Sequence, residues 1–233
     1  MACVKCLHRH LLAEFEQGKR MRFQLFLTLV LIVPPLWGGD AGPGRSSLEH
    51  FASNLETLHA SFSQTITAQD GRRHEASSGE VWMKRPGLFR WAYGGEFPEL
   101  IVADGVQVWM YDLLLEQVVV KPQSALAENS PLLLLTSLES LDEQFLTREV
   151  GVYDGMNLLE LVSKNTESEF ERVLLGFAGD ELRMMTLEDA FGMRTEIRFS
   201  EMIRNPELDS DLFRFKPPDH VDVVGEIPGS VSE

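Results

Sequence analysis

From Gly79 to Asp112 apolar and polar positions alternate in short runs: Val81 and Met83 against Trp82 and Lys84, then Val106, Val108 and Met110 against Gln107, Trp109 and Tyr111. A period of two, rich in β-branched and aromatic residues, is the pattern of strands. The runs break at Arg85-Pro86-Gly87, Gly94-Gly95 and Asp104-Gly105, where proline fixes φ and glycine supplies the positive φ of tight hairpins. The pattern predicts an antiparallel meander.

Before it, Ser46 and Ser47 precede Leu48, Phe51, Ala52, Leu55, Leu58 and Phe62. Steps of three and four predict one amphipathic helix with a serine cap, whose apolar face needs a sheet beneath it. Strands are expected from Phe62 to Asp112, with an early turn at Asp70-Gly71. From Ser124 to Phe145 the spacing of Leu132, Leu135, Leu138, Leu141 and Phe145, with Pro131 suited to a first turn, predicts two or three short helices. Strands resume at Glu149–Tyr153, Asn157–Val162, Phe170–Gly176, Glu181–Leu187, Arg194–Ile203 and Leu212–Phe215. Ten or so short strands with few helices predict a barrel or strongly curved sheet and exclude a parallel α/β fold. No fixed-period repeat and no low-complexity tract appears; the end, Gly225–Glu233, lacks apolar patterning and is read as a loose tail.

The start of the chain changes the picture. Met21-Arg22 opens an apolar run to Val33, stopped by Pro34-Pro35 and followed by the small residues Gly38-Gly39-Asp40-Ala41-Gly42. The run is short for a membrane span, so it reads as a cleaved secretory signal beginning at Met21, with residues 1–20 an upstream extension. Cys3 and Cys6 are the two cysteines, and both precede that run. The exported product is therefore expected to be cysteine-free and not itself lipidated, without disulfides, thiol catalysis or thiolate metal sites. A net charge of −15 would repel nucleic acid and anionic membrane surfaces and steer the protein toward basic partners. His50, His59, His74 and His220 show no metal-ligand spacing and no acidic or nucleophilic partner at motif distance. No metal or cofactor is expected. No G-x-S-x-G elbow or comparable acid–base pair is visible either, so an enzyme such as an esterase is not expected.

The runs KRPGLFRW at Lys84–Trp91, VADGVQVWMYD at Val102–Asp112, EQV at Glu116–Val118 and NSPLLLL at Asn129–Leu135 resemble the periplasmic lipoprotein carrier family LolA. FSQ at Phe62–Gln64, LGF at Leu175–Phe177, GMRTEIRF at Gly192–Phe199 and FRFKPPDHVDVV at Phe213–Val224 continue the likeness in order, over roughly Leu48 to Val224. The resemblance implies a fold that is mainly β with α: an incomplete antiparallel β-barrel, a strongly curved sheet, covered by a lid of short α-helices. It divides the chain into a signal-peptide region (1–41), a lipoprotein-carrier half-barrel domain (42–225) and a flexible tail (226–233). The sequence departs at His220, where the family carries glycine.

The same resemblance implies a soluble, monomeric periplasmic carrier of lipoprotein acyl chains. It would be loaded by an inner-membrane lipoprotein-releasing ABC transporter and unloaded onto an outer-membrane lipoprotein receptor. Phe51, Leu55, Phe62, Phe89 and Trp91 with Leu132, Leu133, Leu134 and Leu138 would line the acyl-chain cavity. Arg85 would be the lid latch, holding carbonyls around Leu135 and Thr136, because a guanidinium carries five donors where lysine carries a point charge. Apart from the resemblance, Arg85 reads first as a solvated charge beside a turn, and Phe89 and Trp91 read equally as ordinary core. A periplasmic lipid- or lipoprotein-sensing regulatory domain of the same fold is the alternative; such sensors usually carry a second domain, for which little sequence remains after Val224.

Overall fold

The computed structural model describes residues 42–125, 138–165, 168 and 170–225. Helix α1 (Pro43–Ala52) is followed by β1 (Thr57–Thr67), β2 (Arg73–Lys84), β3 (Leu88–Gly94), β4 (Glu99–Ala103), β5 (Gln107–Asp112) and β6 (Gln117–Pro122). After a 3-10 turn at Gln123–Ala125, the described chain resumes with α2 (Leu138–Gln144). There follow β7 (Phe145–Tyr153), β8 (Met156–Ser163), β9 (Phe170–Ala178), β10 (Glu181–Asp189), β11 (Arg194–Arg204) and β12 (Asp222–Gly225). The twelve described strands join one open sheet in the order β12-β6-β5-β4-β3-β2-β1-β11-β10-β9-β8-β7. Two meanders, β1–β6 and β7–β11, meet where β1 pairs with β11; every described pair is antiparallel except β12 with β6. The half-barrel expectation is met.

Cross-strand neighbours share a face, so the register defines the inner one: Leu58, Ala60 and Phe62 of β1 oppose Met83, Val81 and Gly79 of β2, and Met83 and Val81 oppose Phe89 and Trp91 of β3. On the other side Phe62 opposes Phe199, which continues through Ile197 and Met185 to Leu175 and Leu159. α1 lies against β7–β10 and buries Leu48 and Phe51 completely in this cluster, joined by Leu55 just beyond its end. Gly79 is required by close approach: a Cβ there would lie 1.9 Å from the Ala92 carbonyl oxygen and 3.0 Å from the Phe62 ring.

The single helix expected through Phe62 is shorter and starts earlier. It ends at Ala52, and Leu58, Ala60 and Phe62 are buried in alternation on β1. Leu58 and Phe62, four apart, satisfy a helical and a strand period alike; buried Ala60 between them and the polar Thr57, His59, Ser61 and Ser63 decide for the strand. Nor do Ser46 and Ser47 cap the helix, because both lie inside it. The cap comes from Glu149 of β7, whose carboxylate accepts from the Gly44 and Arg45 N–H groups at 2.9 and 2.8 Å, satisfying first-turn donors with a negative charge at the positive helix end.

Three further expectations change. Phe145 opens β7 and does not end a helix. Leu212–Phe215 is no strand: Ser210–Phe213 forms a 3-10 turn capped by the Asp209 side chain. Gly225, expected to open the tail, closes β12, and residues 226–233 lie outside the described residues. Pairing with β6 explains the misreading, since Val223 and Val224 lie beside Val118 and Val119 and a four-residue strand leaves little periodicity. His220 is not among the described residues with positive φ, so histidine in place of glycine costs no backbone strain there.

Candidate functional site

The inner face of β1–β5 holds an aromatic group built by strand alternation. Phe89, Trp91 and Tyr93 are successive same-face residues of β3. Phe62 of β1 stacks at a tilt on Trp91 at 4.4 Å and meets Tyr93 edge-on at 5.2 Å; Phe199 of β11 meets Trp91 edge-on at 6.4 Å. Phe51, Leu55, Phe62, Trp91 and Phe89 thus belong to one cluster, with different exposure. Phe51, Leu55, Phe62 and Trp91 are buried, while Phe89, Tyr93 and Ile101 are only partly buried against them. Of the helical residues, Leu132, Leu133, Leu134, Leu135 and Thr136 lie outside the described residues, and Leu138 opens α2, its side chain undescribed. Leu141, one turn further on in α2, is fully buried in the cluster.

Arg85 sits at one end of this face, directly after β2, and is half-buried. Its N–H donates to the Glu56 carbonyl at 2.9 Å, which fixes the turn to the start of β1. Gln123 braces the turn from the far side: its Nε2 donates to the Gly87 carbonyl at 2.6 Å while its Oε1 accepts from Gly105 N–H at 2.9 Å. One side chain therefore ties the β2–β3 and β4–β5 turns together. Asp104 caps the second of these through the N–H groups of Val106 and Gln107 and the Trp109 indole. Burial alone raises the Asp104 carboxyl, but those donors outweigh it and hold the pKa below the usual carboxylate range.

At the other end the face turns polar. Tyr93 donates to Gln64 Oε1 at 3.1 Å, and burial, aided by the charge on Glu99, pushes its phenol up to about 12. Glu99 is itself raised, first by burial and then by Asp112 and Glu75. The face is therefore an apolar trough with an arginine turn at one end and carboxylates at the other.

Several residues that set this geometry were not singled out by sequence. Arg204, at the end of β11, donates through Nη2 to the carbonyls of His50, Phe51 and Ser53 at 3.4, 2.8 and 3.0 Å and lies over the Phe51 ring. Arg204 thus gathers the helix-end carbonyls of α1. Asn205, at φ 56°, accepts from Glu56 N–H at 2.8 Å and donates to the Asn54 carbonyl at 2.8 Å, stitching the α1–β1 link to β11; asparagine is among the side chains that tolerate this conformation best. Their partners lie about 150 positions away, so no local motif announces them. Tyr93 was findable, as the next residue in the Phe89, Trp91 alternation.

The family described as outer membrane lipoprotein carrier protein LolA matches residues 53–216. An outer-membrane lipoprotein carrier protein of Dechloromonas aromatica is 41% identical over 179 residues, covering 77% of this chain and 86% of the relative. One from Methylobacillus flagellatus is 38% identical over 206 residues, covering 88% of this chain and all of its own length. Among solved structures, a LolA superfamily protein from Nitrosomonas europaea aligns with 75% of this chain and 99% of its own at 13% identity and a TM-score of 0.44.

Proposed function

Because the chain belongs to the LolA family of outer-membrane lipoprotein carriers, we propose that it is a periplasmic carrier that shelters lipoprotein acyl chains on the inner face of its half-barrel. It would take them from an inner-membrane ABC transporter and pass them to an outer-membrane receptor, acting by binding and release without bond chemistry. The observation that carries this reading is the inner trough, where partly buried Phe89, Tyr93 and Ile101 rest on buried Phe62 and Trp91. An acyl chain that lies along these rings replaces water on apolar surface while the deeper ones keep the sheet in shape.

The energetics set both halves of the task. Each buried methylene contributes about 0.8 kcal/mol, so a sixteen-carbon chain gains up to about 12 kcal/mol on leaving water. A free lipoprotein does not cross an aqueous gap at that cost, yet a trough that kept the whole gain would not unload. Release requires an empty state with favourable contacts of its own, so that refilling the trough offsets part of the cargo energy. In this reading Arg85, through carbonyls around Leu135 and Thr136, supplies that stabilisation. Its half-buried position and the fixed turn beneath it support the assignment.

Mass spectrometry of the protein purified from periplasm tests the carrier role: diacyl or triacyl species are expected to co-purify, and their absence from wild type and from Phe89→Ala alike would contradict it. For the latch, Arg85→Leu is expected to bind an acylated probe more tightly and transfer it more slowly. A variant matching wild type in both assays removes Arg85 from the mechanism.

A further inference from the structure

The polar end of the trough carries a feature that acyl binding does not explain. The β3–β4 and β5–β6 hairpin tips are joined by a hydrogen bond from Leu113 N–H to the Pro98 carbonyl at 3.2 Å. Together they present Phe97, Leu114 and Leu115 at 63%, 59% and 71% exposure. Large apolar side chains grouped on a surface mark contacts with other molecules. Beside them a cleft of about 300 Å³ is lined by Phe97 and Leu114 and by the carboxylates of Glu75, Glu99 and Asp112. Its volume lies at the bottom of the range for bound small molecules, which suits an inserted side chain.

The charge lining it has one sign. Between Trp91 and Val120 the chain has Glu96, Glu99, Asp104, Asp112 and Glu116 and no lysine or arginine. Among the described residues no ion pair engages Glu75, Glu99 or Asp112. The nearby Arg72 is paired with Asp70. Asp112 spends one oxygen on the Leu114 and Leu115 N–H groups, which leaves its other oxygen and the two glutamates facing the cleft. An anionic lipid surface would be repelled by this tip, and so would a second copy bearing the same charges. An apolar surface with an acidic notch is complementary to a cation flanked by apolar groups.

We propose that the two joined hairpin tips dock a partner protein through a segment that carries a lysine or arginine between apolar side chains, the cation entering the cleft and the flanking residues resting on Phe97 and Leu114. The site stands at the opposite end of the strands from Arg85 and meets the acyl trough at Tyr93; peptide binding is measured with no acylated ligand present, so its failure and that of the cargo reading are distinguishable.

Amide NMR of the isotope-labelled protein titrated with defined probes tests it. The probes are a ten-residue peptide of alternating leucine and arginine, its leucine–glutamate counterpart, and phosphatidylcholine–phosphatidylglycerol vesicles. The arginine peptide is expected to move the signals of residues 95–99 and 112–116, and the glutamate peptide to leave them in place. Glu75→Gln with Glu99→Gln, which removes two rim charges and no described hydrogen bond, should weaken binding about tenfold. Phe97→Ser with Leu114→Ser should weaken it as well, and the Glu99→Gln single variant is the control where a double variant loses spectral dispersion. Equal binding of both peptides, shifts mapping elsewhere, unchanged affinity in the charge variants, or a response to vesicles alone would overturn the proposal.

Discussion

The two meanders of the sheet close their inner faces to different degrees. Over β7–β10 the inner face is closed by α1, whose Leu48 and Phe51 are fully buried, and Phe51 packs on Phe177 at 6.0 Å. The outer face there combines a small apolar cluster of Met156, Leu158 and Met184 with an ion network: Glu160, almost wholly buried, is held by Arg148 and Arg172, and Arg172 reaches on to Glu188. Over β3–β6 the outer face is the closed one. There Trp109, Val118 and Val120 are sealed by Phe215, Val221 and Val223 of the returning C-terminal segment, which Arg90 anchors at the Leu212 carbonyl. The inner face of this half keeps its aromatics partly open. One half is thus a conventional core, and the other seals its outer side while Phe89, Tyr93 and Ile101 stay only partly buried on its inner side. A sheet can hold an apolar ligand without unfolding only if its stability is secured elsewhere.

The comparison is tested most strongly by truncating one aromatic in each half. Phe51→Ala removes a fully buried ring and should destabilise by about 3–5 kcal/mol in denaturant unfolding, with acyl affinity falling only as the fold is lost. Phe89→Ala should cost less than about 2 kcal/mol, because the ring is already part-exposed, while lowering acylated-probe affinity by about tenfold. Equal stability losses, or intact binding by Phe89→Ala, would erase the distinction between the halves.

The clamp on α1 comes next. Arg204→Ala leaves the His50, Phe51 and Ser53 carbonyls without their guanidinium and should cost about 1–3 kcal/mol. Arg204→Lys should recover part of that, since an ammonium cannot reproduce the planar fork. Thermal unfolding of both variants measures the difference.

The smallest effect is electrostatic and has opposite sign in the two halves. Arg45 of α1 grips Asp142 of α2 with both terminal nitrogens, at 2.5 and 2.7 Å, and holds that carboxyl below the usual carboxylate range. Its contribution is fully present above the unfolded-state pKa and is lost as pH falls through the depressed folded-state value. Asp142 is half-exposed, so a double-mutant cycle on Arg45→Ala and Asp142→Asn should give less than about 1 kcal/mol. Glu99 is raised by burial and by Asp112 and Glu75, so its ionised form strains the fold at neutral pH, and acidification through the raised value relieves it. Glu99→Gln should therefore stabilise at neutral pH and lose that advantage in acid, whereas Asp142→Asn should destabilise at neutral pH and become silent in acid. Melting temperatures across pH 3–7 separate the two.

Much of this architecture was readable beforehand where the signal repeats locally. β2 to β5 and their turns follow from alternation broken by Pro86, Gly87, Gly95 and Gly105, and the same alternation puts Phe89 and Trp91 on one face. The readable part ended where two periods coincide, as at Leu58 and Phe62, and where an element exists only through its partner, as with β12 beside β6. Helix ends were misread for a related reason. Glu149 and Arg204 cap α1 from about 100 and 150 residues away, and the serines at hand do not.

The amino-acid pattern by itself determined the strand periodicity, the hairpin turns, the acidic balance and the family motifs, because these are set by φ/ψ preferences, side-chain alternation and charge along a few neighbouring residues. Which face of each strand is closed, which arginine holds which carbonyls, and that two distant hairpin tips share one acidic, apolar surface were decided by the tertiary structure. Those properties depend on contacts between residues far apart in sequence, and solvent exposure is a property of the assembled sheet.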